Sequence, residues 1–191
     1  GKESFENPQF KHISEFSSWG PTTDLRLKPD ITAPGGHIYS LMSDNRYQDM
    51  SGTSMATPHM SGLAVLLMQY LYENNFLTRQ EDGKADPKQD DLTMLMLMNT
   101  AVPMVDPNSE DQTYYSPTVQ GAGLVNIANA MKNKVTVTAT NERDTLKDGK
   151  LELREVGEEF NVQLELKNYG DVDQTYQLKY ELIHSTVDQD L

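Results

Sequence analysis

The stretch from Ser54 to Tyr72 constrains the fold of this chain more than any other. Met55, Ala56, Met60, Leu63, Ala64, Val65, Leu66, Leu67, Met68 and Leu71 wrap nearly all the way round a helix. A helix that is apolar on every side is expected inside a layered domain, not on its surface. The chain enters this helix through Gly52-Thr53-Ser54-Met55-Ala56-Thr57-Pro58-His59, after a strand-like run from Tyr47 to Met50. A serine at a strand-to-helix joint is open on one side and faces backbone N–H groups on the other, which is what a nucleophilic serine needs. Gly52 lets the backbone turn without a Cβ clash. Ala56 leaves room beside the hydroxyl. Pro58 is expected in the first helical turn, where its missing N–H is no loss.

The surrounding pattern predicts an α/β region up to about residue 132. Residues 1–12 read as an irregular lead-in. Short strands are expected at Ile13–Phe16, Ile31–Ala33, Ile38–Met42 and Tyr47–Met50. The prolines and glycines between positions 20 and 36 exclude helix there. Thr78–Asp91 reads as a polar surface loop, with Asp90 and Asp91 favourably placed at the start of a second helix over Leu92–Ala101. Asp106–Ser116 reads as an acidic loop. Gly121-Ala122-Gly123-Leu124 is expected to turn into a short helix ending near Met131.

The period changes near Asn133. Val135, Val137 and Ala139 alternate with threonines. Phe160–Leu166 and Tyr176–Leu182 alternate in the same way, separated by Asp148-Gly149, Val156-Gly157 and Gly170-Asp171. Repeated alternation predicts an antiparallel sheet with one wet face. Two domains follow, 1–132 and 133–191, the second with too few strands for a complete sandwich.

A net charge of -13 argues against nucleic acid as a partner, because phosphate binding needs clustered Lys and Arg. No apolar run is long enough for a membrane span. With no cysteine there is neither disulfide nor thiolate metal site, which suits a secreted bacterial protein. The opening Gly-Lys-Glu-Ser-Phe-Glu-Asn-Pro lacks the basic and apolar regions of a signal peptide, so the chain is expected to be a fragment or a mature segment. No cofactor is expected. The acidic loop Asp106–Asp111 lacks the regular spacing and glycine of a calcium loop, so no metal is expected there either.

The eight residues from Gly52 to His59 resemble the serine motif of the subtilisin-like serine peptidases. Phe16-Ser17-Ser18-Trp19-Gly20-Pro21, Lys28-Pro29-Asp30-Ile31-Thr32-Ala33-Pro34-Gly35 and Gly121-Ala122-Gly123-Leu124-Val125-Asn126 resemble other family segments, in the same order. The resemblance implies a partial subtilisin-like parallel-sheet domain, followed by a partial all-β fibronectin type III-like sandwich. That order is similar to the cell-envelope proteinases of Gram-positive bacteria, and implies an extracellular, cell-wall-attached protein acting on protein or peptide substrates.

Carried over residue by residue, Ser54 is the nucleophile and its N–H an oxyanion donor. Thr53 supports that site, and Met55 lies on the leaving-group side, where oxidation would make it bulkier and polar. Gly52, Ala56 and Pro58 complete the active-site turn. The family's Asp-Ser/Thr-Gly and His-Gly-Thr-His motifs do not occur in this sequence. The chain alone is therefore expected to be inactive, with the upstream half of its own catalytic domain as its natural partner. A half sheet with an open apolar edge also predicts self-association or strand swapping.

Blander readings stand beside these. Ser54 taken alone would be a helix N-cap. His59, on the same helix, reads as a structural hydrogen-bonded histidine, and His12, His37 and His184 as surface or loop residues. Met94, Met96 and Met98 read as gap fillers, and Trp19 as packing. A different class of function, a non-catalytic surface binding module built on a subtilase scaffold, is the alternative to a peptidase.

Overall fold

The structure, a computed structural model, describes residues 12–153, 158–181 and 183. The expected lead-in up to residue 11, the Val156-Gly157 turn, Leu182 and His184 lie outside the described residues. A hairpin of β1 (Ile38–Met42) and β2 (Arg46–Met50) comes first. Then follow α1 (Thr53–Glu73), α2 (Gln89–Asn99), α3 (Pro117–Gln120) and α4 (Ile127–Lys132). A second antiparallel pair, β3 (Val135–Thr140) and β4 (Gln163–Asn168), completes the order.

Local chemistry accounts for these boundaries. α1 stops where Asn75 takes a left-handed conformation, φ 60°, which asparagine tolerates better than most residues. Phe76 and Leu77 N–H then bond back to the Leu71 carbonyl at 2.9 and 3.2 Å. α2 opens with Asp90 and Asp91 in its first turn, as expected from charge at a helix N-terminus. α3 has no periodic signal; it forms because the Ser116 hydroxyl accepts from Thr118 N–H and Pro117 fits the first turn.

The core lies where α1, α2 and α4 meet. Leu67, Leu71, Leu77, Leu92, Met96, Leu97 and Ala130 form one buried cluster. Burial of a side chain of the size of Leu67 or Met96 contributes about 1.5–3 kcal/mol. Of the three alternating methionines, Met96 and Met98 are buried, whereas Met94 is 42% exposed. The expectation that α1 is buried all round does not hold in this chain. Val65 and Leu66 are 63% and 50% exposed, because α2 and α4 cover one side of the helix only.

Strand pairing also departs from the periodicity. Parallel pairing is confined, among the described residues, to the bridge between Thr32 and Leu124, which itself pairs antiparallel with Val102. Ile13–Phe16 is a turn closed by Ser17 N–H on the Ser14 carbonyl at 2.9 Å, not a strand. No strand is found over residues 174–181, and Tyr180 is 89% exposed. Alternation supplies a face, but a strand also needs a hydrogen-bonding neighbour, and among the described residues β4 is paired only with β3. Trp19, expected to pack, is 70% exposed.

The two regions meet through polar contacts. Val137 N–H donates to Asn99 Oδ1 at 2.6 Å. Lys150 Nζ reaches the Asp30 carboxylate at 2.9 Å and the Leu27 carbonyl at 2.8 Å. Burial works against the Asp30 charge, but the ammonium groups of Lys28 and Lys150 outweigh it and hold the carboxyl below its ordinary range. Lys150 moves the opposite way: burial is outweighed by Asp30 and Glu152, and its ammonium is held above the ordinary lysine range.

A depressed carboxyl stabilises the fold above its unfolded pKa, about 3.9, and loses that contribution as pH falls through the lower folded value. Asp30→Asn is therefore expected to lower the urea midpoint at neutral pH, with the gap to the parent closing towards pH 3. A gap that stays constant from pH 7 to pH 3 would show that the charge of Asp30 is not what stabilises.

Candidate active site

The turn into α1 is built around Gly52. Its φ of 153° and ψ of 164° lie in a region that is essentially restricted to glycine. Its N–H donates to the Gly35 carbonyl at 2.8 Å, and its own carbonyl accepts from Met55 and Ala56 N–H at 3.0 and 3.3 Å. The approach is close from the other side too. A Cβ on Gly35 would lie 2.8 Å from the Gly52 carbonyl oxygen and 3.1 Å from Ala56 Cβ. Pro34-Gly35 and the serine turn thus form one packed unit, a contact the sequence does not reveal.

This unit places each expected residue. Gly52 occupies the N-cap position and makes no side-chain cap bond, so Ser54 is the second helical residue and not the cap. Ser54 is exposed, and its N–H has no acceptor among the described residues. The first N–H groups of a helix have no intrahelical acceptor, and the aligned peptide dipoles favour negative charge beside them. Thr53 lines a cavity of about 140 Å³ together with Pro34, Gly35, His37 and Ala56. Met55 packs under the turn, with its sulfur 3.8 Å from where a Gly52 Cβ would stand.

Two details correct the sequence reading. Pro58 lies inside α1 and not in its first turn. Without an N–H, it leaves the Ser54 carbonyl without the usual helical donor. His59 is exposed, and no hydrogen bond of its ring is found among the described residues, so it is not the hydrogen-bonded structural histidine expected. His12 and His37 are exposed, as expected of surface residues. The His37 ring nitrogen is 3.3 Å from the Asp49 carboxylate across the base of the hairpin.

The supporting frame was largely invisible in the sequence. Ala122 N–H donates to the Asp30 carbonyl at 3.0 Å, Thr32 N–H to Gly123 at 2.9 Å, and Val125 N–H to Thr32 at 2.9 Å. Gln120, almost fully buried, accepts from Met104 N–H at 2.7 Å and donates to the Tyr115 carbonyl at 2.6 Å. No group of three or more His, Asp or Glu side chains placed to hold a metal is found among the described residues. No described helix is long and apolar enough to cross a membrane.

Comparison with known proteins matches residues 4–137 to the Subtilase family. A PII-type proteinase of Lactococcus lactis subsp. cremoris is 37% identical over 174 residues, covering 88% of this chain and 8% of the relative. The C5a peptidase of Streptococcus pyogenes is 35% identical over 162 residues, covering 85% of this chain and 13% of the relative. The chain thus spans only a small part of the length of either relative. Among solved structures, the prenylagaramide maturation protease PagA is 26% identical with a TM-score of 0.45, covering 62% of this chain and 37% of its own.

Proposed function

The chain belongs to the subtilase family of serine peptidases, and from that premise we propose that it is the nucleophile-bearing part of an extracellular, cell-wall-attached endopeptidase. One observation carries the proposal. Ser54 stands exposed at the start of α1, free of a capping role, on a turn whose backbone conformation only glycine supports. In this reading, Ser54 Oγ attacks the carbonyl carbon of a peptide bond while a histidine takes its proton. The oxyanion collects the Ser54 N–H, with the Thr53 hydroxyl beside it. Collapse breaks the C–N bond, the histidine returns the proton to the leaving amine, and an ester on Ser54 remains for water to cleave. Substrates are proteins or peptides lying across Pro34-Gly35.

The histidine and the aspartate that orients it belong, in this proposal, to the rest of the same catalytic domain, since neither family motif occurs within these residues. The residues beyond Asn133 form the beginning of a fibronectin type III-like domain. The test is labelling by a fluorophosphonate. The parent polypeptide is expected to label at Ser54, and the Ser54→Ala variant not at all. The 191-residue chain by itself is expected to hydrolyse no peptide substrate. Turnover by the isolated chain that Ser54→Ala abolishes would contradict the proposed division of the triad.

A further inference from the structure

Several groups converge on one amine at the junction of the two regions. Besides Asp30 and the Leu27 carbonyl, Lys150 Nζ lies 3.1 Å from Glu152 Oε1, and that oxygen also accepts from Leu27 N–H at 3.0 Å. The Lys150 side chain is only 12% exposed. Its loop is backed by α2: a Cβ on the neighbouring Gly149 would stand 3.3 Å from Leu95 Cδ2. The backbone next to the lysine is thus packed against a core helix, and the lysine grips the start of the segment 27–35.

The other end of that segment is the serine turn. Asp30 is tied to Ala122, and Thr32 to Gly123 and Val125. The Gly35 carbonyl then holds Gly52 N–H, with no space left between the two backbones. A short segment hydrogen-bonded at Asp30, Thr32 and Gly35 offers a contiguous route by which a displacement at one end reaches the other.

We infer that Lys150 is a positioning residue for the Ser54 turn, through which the region beyond Asn133 sets the geometry of the nucleophile. Its catalytic meaning rests on the nucleophile reading of Ser54; the mechanical coupling does not.

Amide hydrogen exchange on the 191-residue chain tests the coupling. In Lys150→Met, exchange at Leu27 and at Gly52 is expected to quicken by between about 2-fold and 30-fold. The Tyr169 amide, bonded to the Lys134 carbonyl at 2.7 Å, serves as the control and should keep its rate. Lys150→Arg, which retains the charge and the donors, should restore slow exchange at Gly52. Faster exchange at Leu27 with Gly52 unchanged overturns the inference, and so does equal acceleration at Tyr169, which would mark a general loss of stability. If Lys150→Met does not fold, Lys150→Gln, which keeps a donor for the Leu27 carbonyl, is read by the same amides and the same criteria. In the parent polypeptide, the rate of fluorophosphonate labelling should fall with Lys150→Met. A parent that never labels refutes the nucleophile reading and leaves the exchange result standing.

Discussion

Replacing Ser54 by alanine in the parent polypeptide is expected to lower peptide-bond turnover by about 10⁶, a magnitude known for a subtilisin, a member of this same family, and carried over from it. The size of the effect follows from the division of labour at such a site. Without the hydroxyl no acyl-enzyme forms, and the remaining N–H donors can stabilise only a direct attack by water. The fold should hardly change. Ser54 is exposed, Gly52 and not Ser54 occupies the cap position, and alanine is the best helix former. Steady-state kinetics and thermal unfolding on the same preparation separate these effects. Loss of activity together with a large drop in Tm would mean that Ser54 holds the turn as well as reacting; full activity would remove it from the chemistry.

How far the sequence carries differs between the site and its frame. The serine turn is legible because its chemistry is local. Gly52, Ser54, Ala56 and the apolar helix beyond them specify one another over a few residues, and the observed α1 begins at Thr53. The strands β1 and β2 and the helix α2 are legible for the same reason, although the antiparallel pairing of the two strands is not. The frame is not. Gly35 meets Gly52, Lys150 meets Asp30, and Gln120 meets Met104 across long stretches of chain, and no period or spacing encodes such pairs. Pattern also misleads where it describes only half of an interaction. The all-round apolar surface of α1 predicts burial, yet Val65 and Leu66 stay exposed because burial needs a second surface as well as an apolar first one. Tyr176, Leu178 and Tyr180 alternate as a strand should and yet find no ladder partner among the described residues.

Gly123→Ala is expected to be strongly destabilising. The residue has φ 115°, where an L side chain is strained, and a Cβ there would lie 2.4 Å from the Val102 carbonyl oxygen and 2.6 Å from its carbon. Both atoms are backbone, so no side chain can swing away to make room. Val102 is fixed in turn by its two 2.8 Å bonds with Leu124. Conformational strain of about 1–2 kcal/mol and overpacking of about 1–3 kcal/mol add to roughly 2–5 kcal/mol. For a chain of this size that lowers Tm by roughly 4–20 °C. The effect reaches the site as well, because Gly123 accepts the Thr32 N–H on the segment that ends at Gly35. Gly62→Ala is the matched control. It adds the same methyl group inside α1, where nothing stands within 4 Å of the new Cβ. Removing glycine from a helix interior stabilises by about 1 kcal/mol, so this variant should raise Tm by roughly 2–4 °C. Calorimetry on both variants decides the matter: if Gly123→Ala unfolds within a degree or two of the parent, Val102 and Leu124 are not the rigid neighbours that the Thr32–Leu124–Val102 arrangement requires.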